Sequence, residues 1–162
     1  MEASELAEIL SAKTKPGFLD PALKKRADDL FFNQNFVLVC LHGHLLVEKA
    51  LNHMLLGKGT PEILLREDGL TFHQKYEAYV SLFGLSKFDR QLFKAINRLR
   101  NNVAHEFWAD DAECLRSAFK YAFQAKSEKP TIDELAAKPL ESARWVFVGI
   151  LNRMGALDTA VR

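Results

Sequence analysis

The chain has 162 residues, 48% of them hydrophobic and 27% charged, with a formal net charge of +1. That length suits one domain with a proper buried core, and that composition excludes a disordered chain. The near-zero charge also excludes a generally basic nucleic-acid coat, so any contact with nucleic acid has to come from a local patch.

The two cysteines, Cys40 and Cys114, fall among apolar neighbours and lack zinc-ligand spacing. They read as small buried hydrophobes of a reducing compartment, not as a disulfide framework. The start, Met1-Glu2-Ala3-Ser4-Glu5, is acidic and has no signal-peptide pattern. The longest apolar run, Phe36 to Leu41, is far short of the roughly 20 residues a membrane span needs. A cytoplasmic protein without a membrane partner is expected.

Taken in order, Leu6, Ile9 and Leu10 form a short amphipathic set, punctuated by Pro16-Gly17 and Asp20-Pro21. Asp20 can cap a helix with Pro21 at its first position. That helix carries Lys24-Lys25-Arg26, read as a solvated face, with RNA contact as the minority alternative.

Residues 36–56 are the most apolar segment. Phe36 to Leu41 leave no polar face, so burial all round is expected there. From Leu45 the pattern opens, with Leu45, Leu46, Ala50, Leu51, Met54 and Leu55 apolar and Glu48, Lys49 and Asn52 polar. Gly57 is expected to stop the helix. Glu48 needs a partner if buried. His42 and His44 point away from each other on a helix, so they and His53 do not suggest a metal site; no metal or cofactor is expected.

Pro61-Glu62-Ile63-Leu64-Leu65 can form a single turn. Gly57-Lys58-Gly59-Thr60 lacks the preceding strand and the spacing of a phosphate loop. Thr71-Phe72-His73-Gln74 is a capping box opening a helix to about Phe83, closed by Gly84. Ser86-Lys87-Phe88-Asp89 can open the next helix. There Phe88, Leu92, Ala95, Ile96, Leu99 and Val103 recur at three- and four-residue steps as a core stripe. At about 100° per residue, Arg90, Lys94, Asn97, Arg98, Asn101 and His105 gather on the opposite side. Lys87 to His105 holds five Lys/Arg against one Asp, which is the local basic patch.

Asp110 can cap a further helix with Cys114, Leu115, Ala118, Phe119, Ala122 and Phe123 inward. Lys126-Ser127-Glu128-Lys129-Pro130 is a break, and Thr131-Ile132-Asp133-Glu134 repeats the capping-box pattern. The last helix has Trp145, Val146, Phe147, Ile150, Leu151 and Met154 on its core side, and Gly155 is expected to end it. No segment alternates with period two for long. The expected fold is all-α, an up-and-down bundle of about five main helices in one domain.

The distal end of the 87–105 helix concentrates chemistry. Metal-free RNA cleavage needs a base for the ribose 2′-OH, a proton donor for the leaving oxygen, and positive charge on the phosphate. His105 can transfer protons near neutral pH, Arg100 can bind a phosphate with two parallel hydrogen bonds, and Asn101 can orient a phosphate oxygen or the imidazole. Lys94, Asn97 and Arg98 are candidate backbone-phosphate contacts. Asn101 and His105 share a face; Arg100 and His105 are about 140° apart on an ideal helix. They converge only if Arg100 bends across, if the helix ends near His105, or if a second copy completes the site. The structural alternative pairs Arg100 with Glu48 and has His105 simply finish the helix.

Arg100-Asn101-Asn102-Val103-Ala104-His105, an Arg followed five positions later by His, resembles the signature of the HEPN superfamily. These are small all-α domains, many of which cut RNA without a metal. His44 to Leu51 looks like the second-helix segment of small bacterial relatives, and Thr71 to Lys75 like the entry to their third helix, so residues 30–125 are covered. The resemblance implies an HEPN-like bundle, a site formed across a homodimer by facing motif helices, and a metal-independent endoribonuclease of toxin or phage-defence type, with an antitoxin or regulatory protein as a further partner. Its rival is a non-catalytic regulatory or interaction protein resembling the mannitol-repressor-like helical family. Residues 1–20 read as an extension and 127–162 as a helical tail outside the family pattern. A weaker idea is a ligand pocket lined by Trp108, Trp145 and Tyr79.

Overall fold

A computed structural model describes residues 34–105, 115–116 and 137–161. Four α-helices lie in them: α1 (Phe36–Gly57), α2 (Phe72–Leu82), α3 (Lys87–Ala104) and α4 (Pro139–Val161), with a 3-10 turn at Glu62–Leu65. The described residues contain no strand, so the fold is all-α. None of these helices is long and apolar enough to cross a membrane. The Asp20 and Asp110 caps, the Lys24-Lys25-Arg26 cluster, Cys114 and Trp108 lie outside the described residues.

Helix α1 is the element the others pack on: α2, α3 and α4 all contact it, and α4 most extensively. Its composition explains this, since Val39, Cys40, Leu46, Val47, Ala50, Leu51, Met54 and Leu55 are buried on several sides of one helix. Burial is not complete around the first turns, however. Leu38 is 39% exposed, and Phe36, Val37 and Leu41 are half-buried. The helix begins at Asn35, whose side chain accepts from Leu38 N.

The end of α1 corrects the expected stop. Gly57 is the last helical residue, and the left-handed position is Gly59, at φ +86°. Thr60 N donates to Leu55 O (3.0 Å) and Gly59 N to Leu56 O (2.9 Å), the paired bonds of a Schellman cap. Two glycines two positions apart offered two places to stop. The bonding of the last carbonyls selects the second.

The expected caps of α2 and α3 form. Thr71 and Gln74 make the reciprocal box, and α2 ends before Gly84, at φ +60°. Asp89 accepts from Ser86 N (3.1 Å) and Ser86 Oγ (2.8 Å). Its other oxygen meets Arg153 of α4, so one carboxylate caps α3 and ties it to the last helix.

The α3 stripe Leu92, Ala95, Ile96, Leu99 and Val103 is buried; the Phe88 side chain lies outside the described set. Phe93 joins the core as well. It stacks on Tyr76 at 5.7 Å and meets Tyr79 edge-on at 5.6 Å, and Tyr79 also lies 4.9 Å from Phe83. Tyr79 is thus core packing between α2 and α3.

Helix α4 presents its expected core side, with Val146, Phe147, Ile150, Leu151 and Met154 buried, but it does not end at Gly155 and runs on to Val161. Its approach to α1 depends on Gly43. A Cβ there would overlap the ring of Phe147, which is itself fully buried. Gly155 is buried within the helix, where packing outweighs the roughly 1 kcal/mol a helical glycine costs.

Candidate functional site

The distal half of α3 divides into three strips. The core stripe faces inward. Lys94, Arg98, Asn101 and His105 are exposed, as expected of the polar face. Asn97 is half-buried, because it follows buried Phe93 by one turn and so lies toward α1 and α2. Arg100, one turn beyond Asn97 on that side, is exposed.

Arg100 donates from Nη1 to Asn101 Oδ1 at 2.9 Å. The guanidinium therefore leans along the helix toward the Asn101 side and does not turn into the core. It is not paired with Glu48, as the structural alternative required. Glu48 is engaged instead by Lys75 of α2, with Nζ to Oε1 at 2.7 Å. The same ammonium donates to Leu65 O at 3.2 Å, and Asn52 Nδ2 reaches that carbonyl at 3.4 Å. This buried Lys75 was not legible as a site residue. The signal for it was Glu48 itself, an acid on an apolar helix that needed a cation from some neighbour.

The helix ends at the motif. The last α-helical residue is Ala104, and His105 N is shared between Asn101 O (3.1 Å) and Asn102 O (3.2 Å). His105 is exposed and is the first residue past the last α-helical one. Arg90, on the same polar face, is committed elsewhere, to Glu77 at 2.9 Å. The basic character of the distal end thus comes from Lys94, Arg98 and Arg100.

A residue without a predicted role stands behind this end. His44 of α1 is 5% exposed, and its ring lies 4.1 Å from that of Phe72. Burial is the main reason its pKa falls to about 4; Glu48 opposes the shift, Arg100 adds to it, and a side-chain hydrogen bond with Asn97 opposes it. His44 is thus neutral at physiological pH. Its Nε2 is buried with no hydrogen-bond partner among the described residues. The pattern His44, Glu48, Asn52 at four-residue steps is a polar strip on α1 facing α2 and α3, visible in the sequence only as three unrelated polar residues.

The structure therefore brings Arg100 to Asn101, while Glu48 goes to Lys75. Of the other histidines, His42 is exposed and His53 half-buried. Compared with known proteins, the chain matches no family model, no curated protein and no solved structure.

Proposed function

We propose that this protein is a metal-independent endoribonuclease of the HEPN type, cytoplasmic and acting as a homodimer through its motif-bearing α3 helices, in a toxin or phage-defence role. One observation carries the reading. Arg100 is exposed and hydrogen-bonded to Asn101, beside an exposed His105 at the helix end, whereas an arginine kept for structure would be tied to a buried acid. In the reaction, the ribose 2′-oxygen attacks the adjacent phosphorus, the bond to the 5′-oxygen breaks, and a 2′,3′-cyclic phosphate and a 5′-hydroxyl result. His105 is the proton-transfer residue. Arg100 and Asn101 hold the phosphate as charge builds on its oxygens. Lys94, Asn97 and Arg98 contact neighbouring phosphates.

A pool of labelled RNA incubated with the protein in EDTA, followed by end-group analysis, tests this. Cyclic-phosphate ends are expected with the native protein and not with His105→Ala. An RNA pool left unchanged across pH and salt moves the assignment to the non-catalytic regulatory protein of mannitol-repressor-like type.

A further inference from the structure

We propose that His73 of α2 and Lys94 of α3 form a two-donor clamp, oriented by Tyr76, for a phosphodiester group remote from the scissile one. The proposal rests on the RNA-directed reading above. It adds the path of the strand, from the end of α3 back to the groove between α2 and α3.

The register of the two helices places the pair. A short turn after Leu82 joins α2 to the start of α3 at Lys87, so the helices run antiparallel. Phe93 stacks on Tyr76 at 5.7 Å, and Arg90 meets Glu77 at 2.9 Å. One turn back along α2 from Glu77 is His73, and one turn on along α3 from Arg90 is Lys94. Residues four apart share a helix face, so His73 and Lys94 face each other across the same groove. Both are exposed. At Glu77 the groove is balanced, a carboxylate against a guanidinium. One turn along, an imidazole stands where the carboxylate stood.

Tyr76 decides what that imidazole offers. It is buried, and its hydroxyl lies 2.5 Å from His73 Nδ1, with the rings edge-on at 4.9 Å. Burial, with Glu77 adding and Arg90 opposing, pushes the Tyr76 pKa up, so the hydroxyl keeps its proton. It donates to Nδ1 of the neutral ring, which fixes the ring hydrogen on Nε2. A protonated ring keeps the contact as well, because the hydroxyl oxygen can accept. In either state the Nε2 N–H is the polar group left to a ligand. The Tyr76 ring lies within 10° of parallel to Phe93, and this stack holds the hydroxyl before any ligand arrives. An oriented N–H facing an ammonium, with no acid in place of Glu77, calls for an anion. From Lys94 to His105 α3 rises about 16 Å. A dinucleotide, with one phosphodiester, cannot occupy both ends; a longer strand can.

The test compares the affinity of a 2′-O-methyl RNA dodecamer, which lacks the attacking hydroxyl, with that of a 2′-O-methyl dinucleotide. His73→Ala is expected to weaken dodecamer binding about tenfold, the scale of one hydrogen bond to a charged group, and to leave the dinucleotide within about twofold. Lys94→Ala is expected to weaken the dodecamer to a similar degree. Tyr76→Phe keeps the stack but removes the hydroxyl. It is expected to cost about threefold on the dodecamer and to add nothing to His73→Ala. Unchanged dodecamer affinity in His73→Ala overturns the proposal. So do equal losses at both lengths, which mark a general effect on the fold, and a Tyr76→Phe loss that adds in full. A native protein that binds neither oligomer overturns the clamp together with the RNA-directed reading. Length-dependent losses without cleavage of natural RNA uphold the clamp and overturn only the ribonuclease reading.

Discussion

Helices α1 and α3 both carry polar side chains but place them in opposite ways. On α1, His44, Glu48 and Asn52 are set among buried leucines and valines and turned toward other elements: the His44 ring packs on Phe72, Glu48 pairs with Lys75, and Asn52 donates to the Leu65 carbonyl. On α3, Lys94, Arg98, Arg100, Asn101 and His105 are exposed, and the one hydrogen bond identified for Arg100 is to its own neighbour in sequence. The difference teaches where to look for function. A polar group enclosed between helices acts on stability, whereas substitution of an exposed group on the outer side of an amphipathic helix leaves the core untouched.

The contrast predicts that α3 substitutions remove activity without unfolding the chain. His105→Ala is expected to lower RNA cleavage about 10²–10⁴-fold, with its thermal unfolding midpoint unchanged, as measured by circular dichroism. A comparable drop in the midpoint would place His105 among the structural groups instead.

Substitutions on the α1 strip act on stability. Glu48→Ala leaves the Lys75 ammonium, whose side chain is 3% exposed, without its carboxylate, and is expected to cost about 3–5 kcal/mol in urea unfolding. Lys75→Met removes the buried charge itself and leaves Glu48, whose side chain is 27% exposed, able to reach water, so it is expected to cost clearly less. Equal losses would mean that the pair is not the asymmetric buried one described above.

The pH dependence follows from His44. The unfolded chain protonates this histidine near 6.5, and the native protein only near about 4. Between those values unfolding takes up a proton, so stability is fully present above pH 6.5, falls as pH drops through the window, and stops falling from this source below about pH 4. The loss is on the order of 3 kcal/mol. His44→Gln should show a flatter stability profile across that interval, and identical profiles would remove His44 as its cause.

Smaller effects come from packing and from the surface. Gly43→Val forces α1 and α4 apart at Phe147 and is expected to cost about 2 kcal/mol, read as a lower urea midpoint. Arg90→Ala breaks an ion pair with Glu77 whose side chains are 46% and 34% exposed, and is expected to change stability by about half a kcal/mol or less, diminishing with salt.

Local features were the most legible. The Thr71–Gln74 box, the Ser86–Asp89 cap and the stripe Leu92, Ala95, Ile96, Leu99 and Val103 depend on residues three or four apart, and each forms as the spacing implies. The exposed strip Lys94, Arg98, Asn101 and His105 is the complement of that stripe and was legible with it. Asn97 does not share the full exposure of that face and is half-buried, because the buried arc of α3 is wider than its main stripe. Phe93, one turn earlier, is buried against the aromatic side chains of α2 and widens the buried arc. The core side of α4 was legible too, since Val146, Phe147, Ile150, Leu151 and Met154 are buried as their spacing implies; its close approach to α1 at Gly43 was not, because that surface is a place where a side chain is absent.

The sequence by itself determined that this chain is helical, where α2 and α3 begin, and which face of α3 is polar, because these follow from bonds and side-chain spacing within a single turn. Tertiary structure alone decided the partners of its charged and polar groups: Glu48 with Lys75, Asp89 with Arg153, His44 against Phe72, and Arg100 left at the surface. Those choices join residues far apart in the chain. Their outcome depends on which groups folding removes from water together, and only the packing of helix against helix sets that.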